Sequence, residues 1–264
     1  MPVEVCLEMY AERSLVLPFF TGHVSRGLLL HVLREVDPSL AYDLHREDEP
    51  KPYSVTPLRF RSAGRVEAGY VVDAGSPVRV WFRFLRDELA EKFMKYFYNR
   101  QSVLIYDVFF NVASLTLKSE SYGDLWNGVK EPVETFRLYF LTPTYLSTLG
   151  TDYHYLFPDH VRIFSGLMRL WNMFSDYKRF SKDEFMEYKQ WLLENVGVSQ
   201  HKLKTCLAIM GRKKATGFMG WTTYEIGDQK SPWNKTTQTL AKFAQYSNIG
   251  GNRTGGFGVT KMGT

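Results

Sequence analysis

Apolar and polar residues alternate through VEVCLEMYAE at residues 3–12, and this period of two predicts an opening strand. The period then lengthens. From Gly22 to Val36 the residues Val24, Leu28, Leu29, Val32, Leu33 and Val36 recur at helical spacing, while His23, Arg26, Gly27, Leu30, His31 and Arg34 share the opposite, largely basic face. Asp37 reads as an N-cap and Pro38 as a first helical residue, so a short helix runs through Leu40, Ala41 and Leu44 and ends near His45. Strands over 53–60, 69–72 and 77–84, a helix over 87–98 with Leu89 and Phe93 inward, and a strand over 103–117 follow. This order is the split βαβ pattern of a ferredoxin-like unit.

Residues 119–132 contain SYGDLWNGVKEP, whose turn formers predict a linker. Beyond it the plan returns: a strand over 135–140, helices near 159–174 and 182–195, strands over 202–210 and 217–226, a helix over about 237–246 and a closing strand over 257–261. The halves share no sequence repeat. The predicted fold class is α+β, with two tandem ferredoxin-like domains at residues 1–124 and 133–264, the second carrying a basic hairpin and a C-terminal glycine-rich loop. A single irregular α+β domain is the alternative.

With 264 residues and 44% apolar content, the chain can bury a substantial core without staples. Its two cysteines, Cys6 and Cys206, stand far apart, which excludes a disulfide framework or a C-x-x-C zinc site and predicts a reducing, cytoplasmic setting. The start lacks an apolar signal core, and no stretch approaches the roughly 18 to 20 apolar residues of a membrane helix, so no membrane partner is expected. Charge is more informative. Residues 199–264 hold ten basic residues against Glu225 and Asp228, a net of +8, whereas the whole chain carries only +5. A positive field gathered in the C-terminal quarter points to a polyanion.

Two segments carry a family likeness: PSLAYDLHREDEPKPYSVTPL at residues 38–58 and SNIGGNRTGGFGVTKM at residues 247–262. The first resembles the region of CRISPR repeat-processing endoribonucleases of the Cas-six family where a short helix ends in a catalytic histidine and a loop leads to K-P. The second is similar to the glycine-rich loop of the RAMP superfamily, and TGFMGWTTYEI at residues 216–226 resembles the hairpin strand before the final helix. This chain departs from the family at two places: Asn248 stands where the loop usually begins with glycine, and Leu30, beside His31, occupies the position of a first-helix tyrosine.

The resemblance implies an endoribonuclease that needs neither metal nor cofactor, because RNA supplies its own 2′-hydroxyl nucleophile. His45 is then the general base or acid and Lys51 the cation that stabilises the phosphorane. Elementary chemistry agrees with those residue types. Imidazole titrates near neutrality, and a helix C-terminus favours imidazolium. His23 and His31 are candidate catalytic helpers, and Gly27 between them suggests the close approach of a backbone or an RNA strand.

Arg26, Lys202, Lys204, Arg212, Lys213 and Lys214 are candidate RNA contacts, with the last three placed in the hairpin turn and Lys202 and Lys204 on one strand face. Gly250, Gly251, Gly255 and Gly256 are expected to offer backbone amides to phosphates, and Arg253 to add charge. The acidic run Glu47, Asp48, Glu49 lacks the spacing of a metal loop and reads as solvated. The expected partner is CRISPR repeat RNA; a homodimer and a place in an interference complex stay open. Two rivals remain: a RAMP-type subunit that binds repeat RNA with little or no cutting, and a metal-dependent nuclease.

Overall fold

The structure, a computed structural model, describes residues 1–45, 49–148, 151, 153–211 and 213–263. The opening alternation becomes β1 (Val3–Ala11), whose odd residues are buried and whose even residues face away from the helices. After β2 (Leu15–Leu17), helix α1 (Gly22–Val36) buries Val24, Leu28, Leu29, Val32 and Leu33, the face its spacing predicts. Asp37 caps α2 (Pro38–His45) through its carboxylate, which accepts the Leu40 N–H at 3.0 Å and the Ser39 hydroxyl at 2.8 Å. Lys92 donates to the same carboxylate at 2.5 Å, which holds it well below the usual carboxylate range.

The expected strand over 53–60 divides into β3 (Tyr53–Val55) and β4 (Arg59–Phe60), because Pro57 between them has no N–H for a ladder. A small separate sheet forms from β2, β5 (Gly64–Val66) and β6 (Gly69–Val72) in the order β2-β6-β5. Then come β7 (Pro77–Phe84) and α3 (Asp87–Lys95), which runs into a 3-10 turn over Tyr96–Tyr98. The single strand expected over 103–117 is instead a hairpin, β8 (Ser102–Ile105) and β9 (Val108–Ser119). Its turn holds Tyr106 at φ 55°, and the absence of glycine there concealed it from sequence reading.

The expected linker also contains a helix, α4 (Tyr122–Asn127), closed by a capping box between Ser121 and Asp124. Its Tyr122 and Leu125 are buried in the second core, and the Tyr122 hydroxyl donates to the Leu85 carbonyl at 2.8 Å. The remaining elements are β10 (Thr135–Thr144), α5 (His160–Phe174), α6 (Lys182–Asn195), β11 (Val196–Met210), β12 (Lys213–Ile226), α7 (Pro232–Ser247) and β13 (Thr260–Gly263). Helix α7 starts five residues before its expected point, with Ser231 as cap and Pro232 in its first turn.

The two principal sheets have the same wiring. The order is β3-β7-β1-β9 in the first, extended by β8 and by β4 beside β7, and β11-β12-β10-β13 in the second. In each, the second, third, first and fourth strands of a ferredoxin-like unit lie side by side. Each sheet packs its helices on one face over its own apolar core. At about 1.5–3 kcal/mol per buried large apolar side chain, each core is a substantial stabilising unit. The opposite sheet faces carry polar and aromatic residues, and these, together with the segment between α7 and β13, position the site.

Candidate functional site

The glycine-rich segment leaves α7 at Asn248, where the backbone turns to φ 57°, a region asparagine tolerates better than most residues. Its side chain is fully buried: Nδ2 donates to the carbonyls of Val55 at 3.0 Å and Phe257 at 3.1 Å, and Oδ1 accepts from Arg83 Nη1 at 3.1 Å. A glycine here would supply the turn but none of these bonds. The Ser54 hydroxyl adds a parallel tie to the Tyr246 carbonyl at 2.7 Å. The segment is therefore a joint between the two domains.

Two glycines of this joint answer to close packing. A Cβ on Gly22, at the start of α1, would lie 1.9 Å from the Gly255 carbonyl oxygen, and one on Gly250 would lie 2.1 Å from the Tyr145 carbonyl oxygen. For Gly251, Gly255 and Gly256 the reading that the loop glycines present amides to phosphates needs correction. The Gly251 N–H donates to the Tyr145 carbonyl at 2.9 Å, Gly255 to Asn252 at 2.9 Å and Gly256 to Arg253 at 3.3 Å. Those amides hold the loop's own shape, and only Gly250 of the four is exposed.

Arg253 needs the same correction. Its guanidinium is buried and donates to the carbonyls of Ser247 at 2.7 Å and Lys51 at 3.3 Å, so it is not placed to meet RNA. Burial pushes its pKa down to about 10, which leaves it protonated at neutral pH. Charge and hydrogen bonds together make it a fastener for the segment that carries Lys51.

Lys51 reaches the other way. Its Nζ donates to the Asp43 carbonyl at 3.4 Å, in the last turn of α2. His45 ends that helix and is exposed. The structure therefore ties the glycine-rich loop to Lys51, and Lys51 to the last turn of the helix that ends in His45. Tyr42, one turn before His45 and 71% exposed, is an aromatic residue that sequence reasoning did not select. Its signal was there, since positions three apart share a helix face.

On α1, Arg26 lies beside the Tyr53 phenol, whose buried oxygen has no hydrogen-bond partner among the described residues and whose pKa burial pushes up. His23 is partly buried, and burial lowers its pKa, which favours neutral imidazole. His31 stands farther along the helix, with Nδ1 3.5 Å from an Arg34 guanidinium nitrogen. Gly27 is exposed, and among the described residues a Cβ there would meet nothing within 4 Å, so none of their backbone approaches it. Glu47 and Asp48 lie outside the described residues, and Glu49 is exposed.

The basic hairpin is longer than expected. Lys213 and Lys214 belong to β12, paired with Met210 and Ile209, rather than to the turn, which holds Gly211; Arg212 lies outside the described residues. Both lysines are exposed. The hairpin tip rests on the joint: Ala208 and Ala215 pack with Phe20 and Phe257, and Asn252 Nδ2 lies 3.7 Å from Met210 Sδ. Lys202 and Lys204 are exposed and share one strand face, as alternation predicts, opposite Trp221 and Met219. At the strand's rise per residue they stand roughly 27 Å and 20 Å from the tip, so the basic residues form two groups.

No group of three or more His, Cys, Asp or Glu side chains converges on a common point among the described residues. None of the described helices is long and apolar enough to cross a membrane.

Residues 138–260, nearly all of the second domain, match the family model for the CRISPR-associated endoribonuclease Cas6. No curated protein matches the chain in sequence. Among solved structures, a Cas6 product complex superposes with a TM-score of 0.80 at 21% identity, over 98% of this chain and 98% of that one. A Cas6 of Thermus thermophilus gives 0.75 at 20% identity over 99% and 98%. A Cas6-related protein of Pyrococcus furiosus gives 0.67 at 13% over 99% and 98%. At such identities these likenesses establish the fold, and the fold is shared end to end.

Proposed function

We propose that this chain, whose second domain belongs to the Cas6 family and whose two domains share the Cas6 fold, binds CRISPR repeat RNA and cuts it beside His45. One observation carries the reading: Arg253 fastens the Lys51 segment to the glycine-rich loop, and Lys51 in turn reaches the end of the helix that carries His45. The lysine, six residues after the histidine, thus lies in a segment that the family's hallmark loop holds, which supports the reading.

The chemistry these groups support is attack by the 2′-hydroxyl on the adjacent phosphorus. His45 as neutral imidazole takes the 2′-hydroxyl proton, or as imidazolium protonates the leaving 5′-oxygen. The Lys51 ammonium meets the charge that builds on the phosphorane oxygens. The P–O5′ bond breaks as the O2′–P bond forms, leaving a 2′,3′-cyclic phosphate and a 5′-hydroxyl. Nothing in that sequence calls for a metal-activated water, because the nucleophile belongs to the substrate. Lys213 and Lys214 at the hairpin tip and Arg26 on α1 border the joint, and they supply charge for the RNA backbone.

The test is cleavage of end-labelled repeat RNA by wild type and His45→Ala in excess chelator, beside a binding titration. One site-specific cut by the wild type, strongly reduced in the variant at equal affinity, is the expected result. A repeat carrying deoxyribose before the scissile bond should bind and remain intact; its cleavage would exclude the mechanism. A second reading, a RAMP-type subunit that binds without cutting, has one observation in its favour: α1 carries Leu30 where some family members place a tyrosine. Tight binding with no cut by either protein would establish it.

A further inference from the structure

At Leu30, where some family members carry a tyrosine, α1 has a side chain that packs partly on the first core and can neither donate a hydrogen bond nor carry charge. One helical turn earlier the same face holds Arg26, since positions four apart lie one above the other. Arg26 is partly exposed, and no carboxylate pairs with it among the described residues. Next to it, exposed Gly27 leaves the helix surface open.

Beside Arg26 lies a phenol that the fold does not use. Tyr53, the first residue of β3, is fully buried, yet its hydroxyl has no hydrogen-bond partner among the described residues. Its polar neighbours are Arg26 and Thr254, and the Arg253 charge is also near. Nearly all buried hydroxyls are matched, because an unmatched one destabilises the fold, so this one is better explained by a task than by stability.

Its position suggests the task. The turn Arg253–Gly255 packs on both α1 and β3, and α2 packs on α1. Arg253 holds the Lys51 carbonyl, and Lys51 donates to the last turn of the helix that ends in His45. Tyr53 follows Lys51 by two residues, a span of at most about 7 Å. Tyr53 therefore connects the segment that carries Lys51 to the helix that carries Arg26.

We infer that Arg26 is a further catalytic residue, whose guanidinium donates to a non-bridging oxygen of the scissile phosphate, and that Tyr53 is its positioning residue, whose phenol oxygen accepts a guanidinium N–H. The inference deepens the proposed function and rests on it. Arginine suits the part because its planar fork can offer two N–H groups to a phosphate while another stays with the phenol. The guanidinium keeps its proton throughout, so proton transfer stays with His45, and Arg26 adds charge where the phosphorane oxygens gain it.

The test is single-turnover cleavage of repeat RNA at saturating protein, with sulfur replacing one or the other non-bridging oxygen of the scissile phosphate. Wild type should cut one sulfur isomer much more slowly than the other. Arg26→Ala should lower the saturating rate on the all-oxygen RNA about a hundredfold, weaken binding by less than about tenfold, and lose the preference between isomers. Arg26→Lys keeps the charge and the stem, so it should fold normally and recover only part of the rate. Tyr53→Phe keeps the packed ring; it should slow the saturating rate several-fold, leave the melting temperature unchanged or higher, and add little once Arg26 is alanine.

A wild-type saturating rate in Arg26→Ala with weaker binding alone would overturn the inference and leave Arg26 a backbone contact. An isomer preference that survives in Arg26→Ala would also overturn it, and a wild-type rate in Tyr53→Phe would overturn the positioning role. In each of these cases the proposed function stands if His45→Ala still stops the cut. A wild type that binds the repeat without cutting it would overturn the function, and the inference with it.

Discussion

The glycine-rich joint and the α2 surface are linked by Lys51 and are built in opposite ways. In the joint the central polar side chains are buried and matched: Asn248 makes bonds to both domains, Arg253 closes on two carbonyls, and Gly22 leaves room for a carbonyl that any other residue would strike. On the α2 surface His45 and Tyr42 are exposed, and Lys51 makes one long bond to a carbonyl. The first region stabilises the fold, and the second is where the proposed chemistry would take place. Groups that must exchange protons with a substrate cannot be locked into internal bonds, so they sit lightly on a support fixed elsewhere.

Substitutions that separate the two regions follow from this division. His45→Ala should lower the cleavage rate by about 10²–10⁴, the usual contribution of a general acid or base, with no change in melting temperature. A matching fall in melting temperature would show that His45 supports the fold instead. Arg253→Leu should act in reverse: two carbonyls lose their donor at about 1–3 kcal/mol each, which lowers the melting temperature by several degrees. Cleavage would fall only as far as Lys51 loses its position, and thermal unfolding beside single-turnover rates measures both.

Lys213→Ala and Lys214→Ala should weaken repeat RNA several-fold each and reduce the salt slope of binding by about one per charge, with the cleavage rate at saturation unchanged. The smallest effect concerns pH. Burial lowers the pKa of His160, despite the opposing influence of Asp159, so its neutral form is favoured in the fold. The unfolded state then binds more protons, and stability present above about pH 6.5 is lost as pH falls through the lower folded value. Denaturant titrations from pH 7.5 to 5 should show this decline, and His160→Gln should flatten it.

Much of the α2 surface could be read from sequence because its cues are local. Asp37 followed by Pro38 defines a helix start, and His45 lies at the end of the apolar pattern Leu40, Ala41, Leu44. The ferredoxin-like order was legible for the same reason, since each strand and helix carries its own period. The joint was misread because its contacts are remote: Arg253 meets a carbonyl 202 residues earlier, and no local pattern distinguishes a buried arginine in a glycine loop from an exposed one. Helix α4 did have a cue, the Ser121–Asp124 spacing, which the turn formers around it obscured.

The 202-residue separation between Lys51 and Arg253 also sets an order of events in the cell. A ribosome adding about 5–20 residues per second needs roughly 10–40 s to travel from one to the other. The first domain, with its own core, can fold in that interval, yet the Lys51 carbonyl lacks its Arg253 donor until that residue emerges. Under the proposed function, a nascent chain would display the histidine before the Arg253 tie behind Lys51 exists, so cutting of RNA met during synthesis should reach its full rate only once translation has passed the glycine-rich loop.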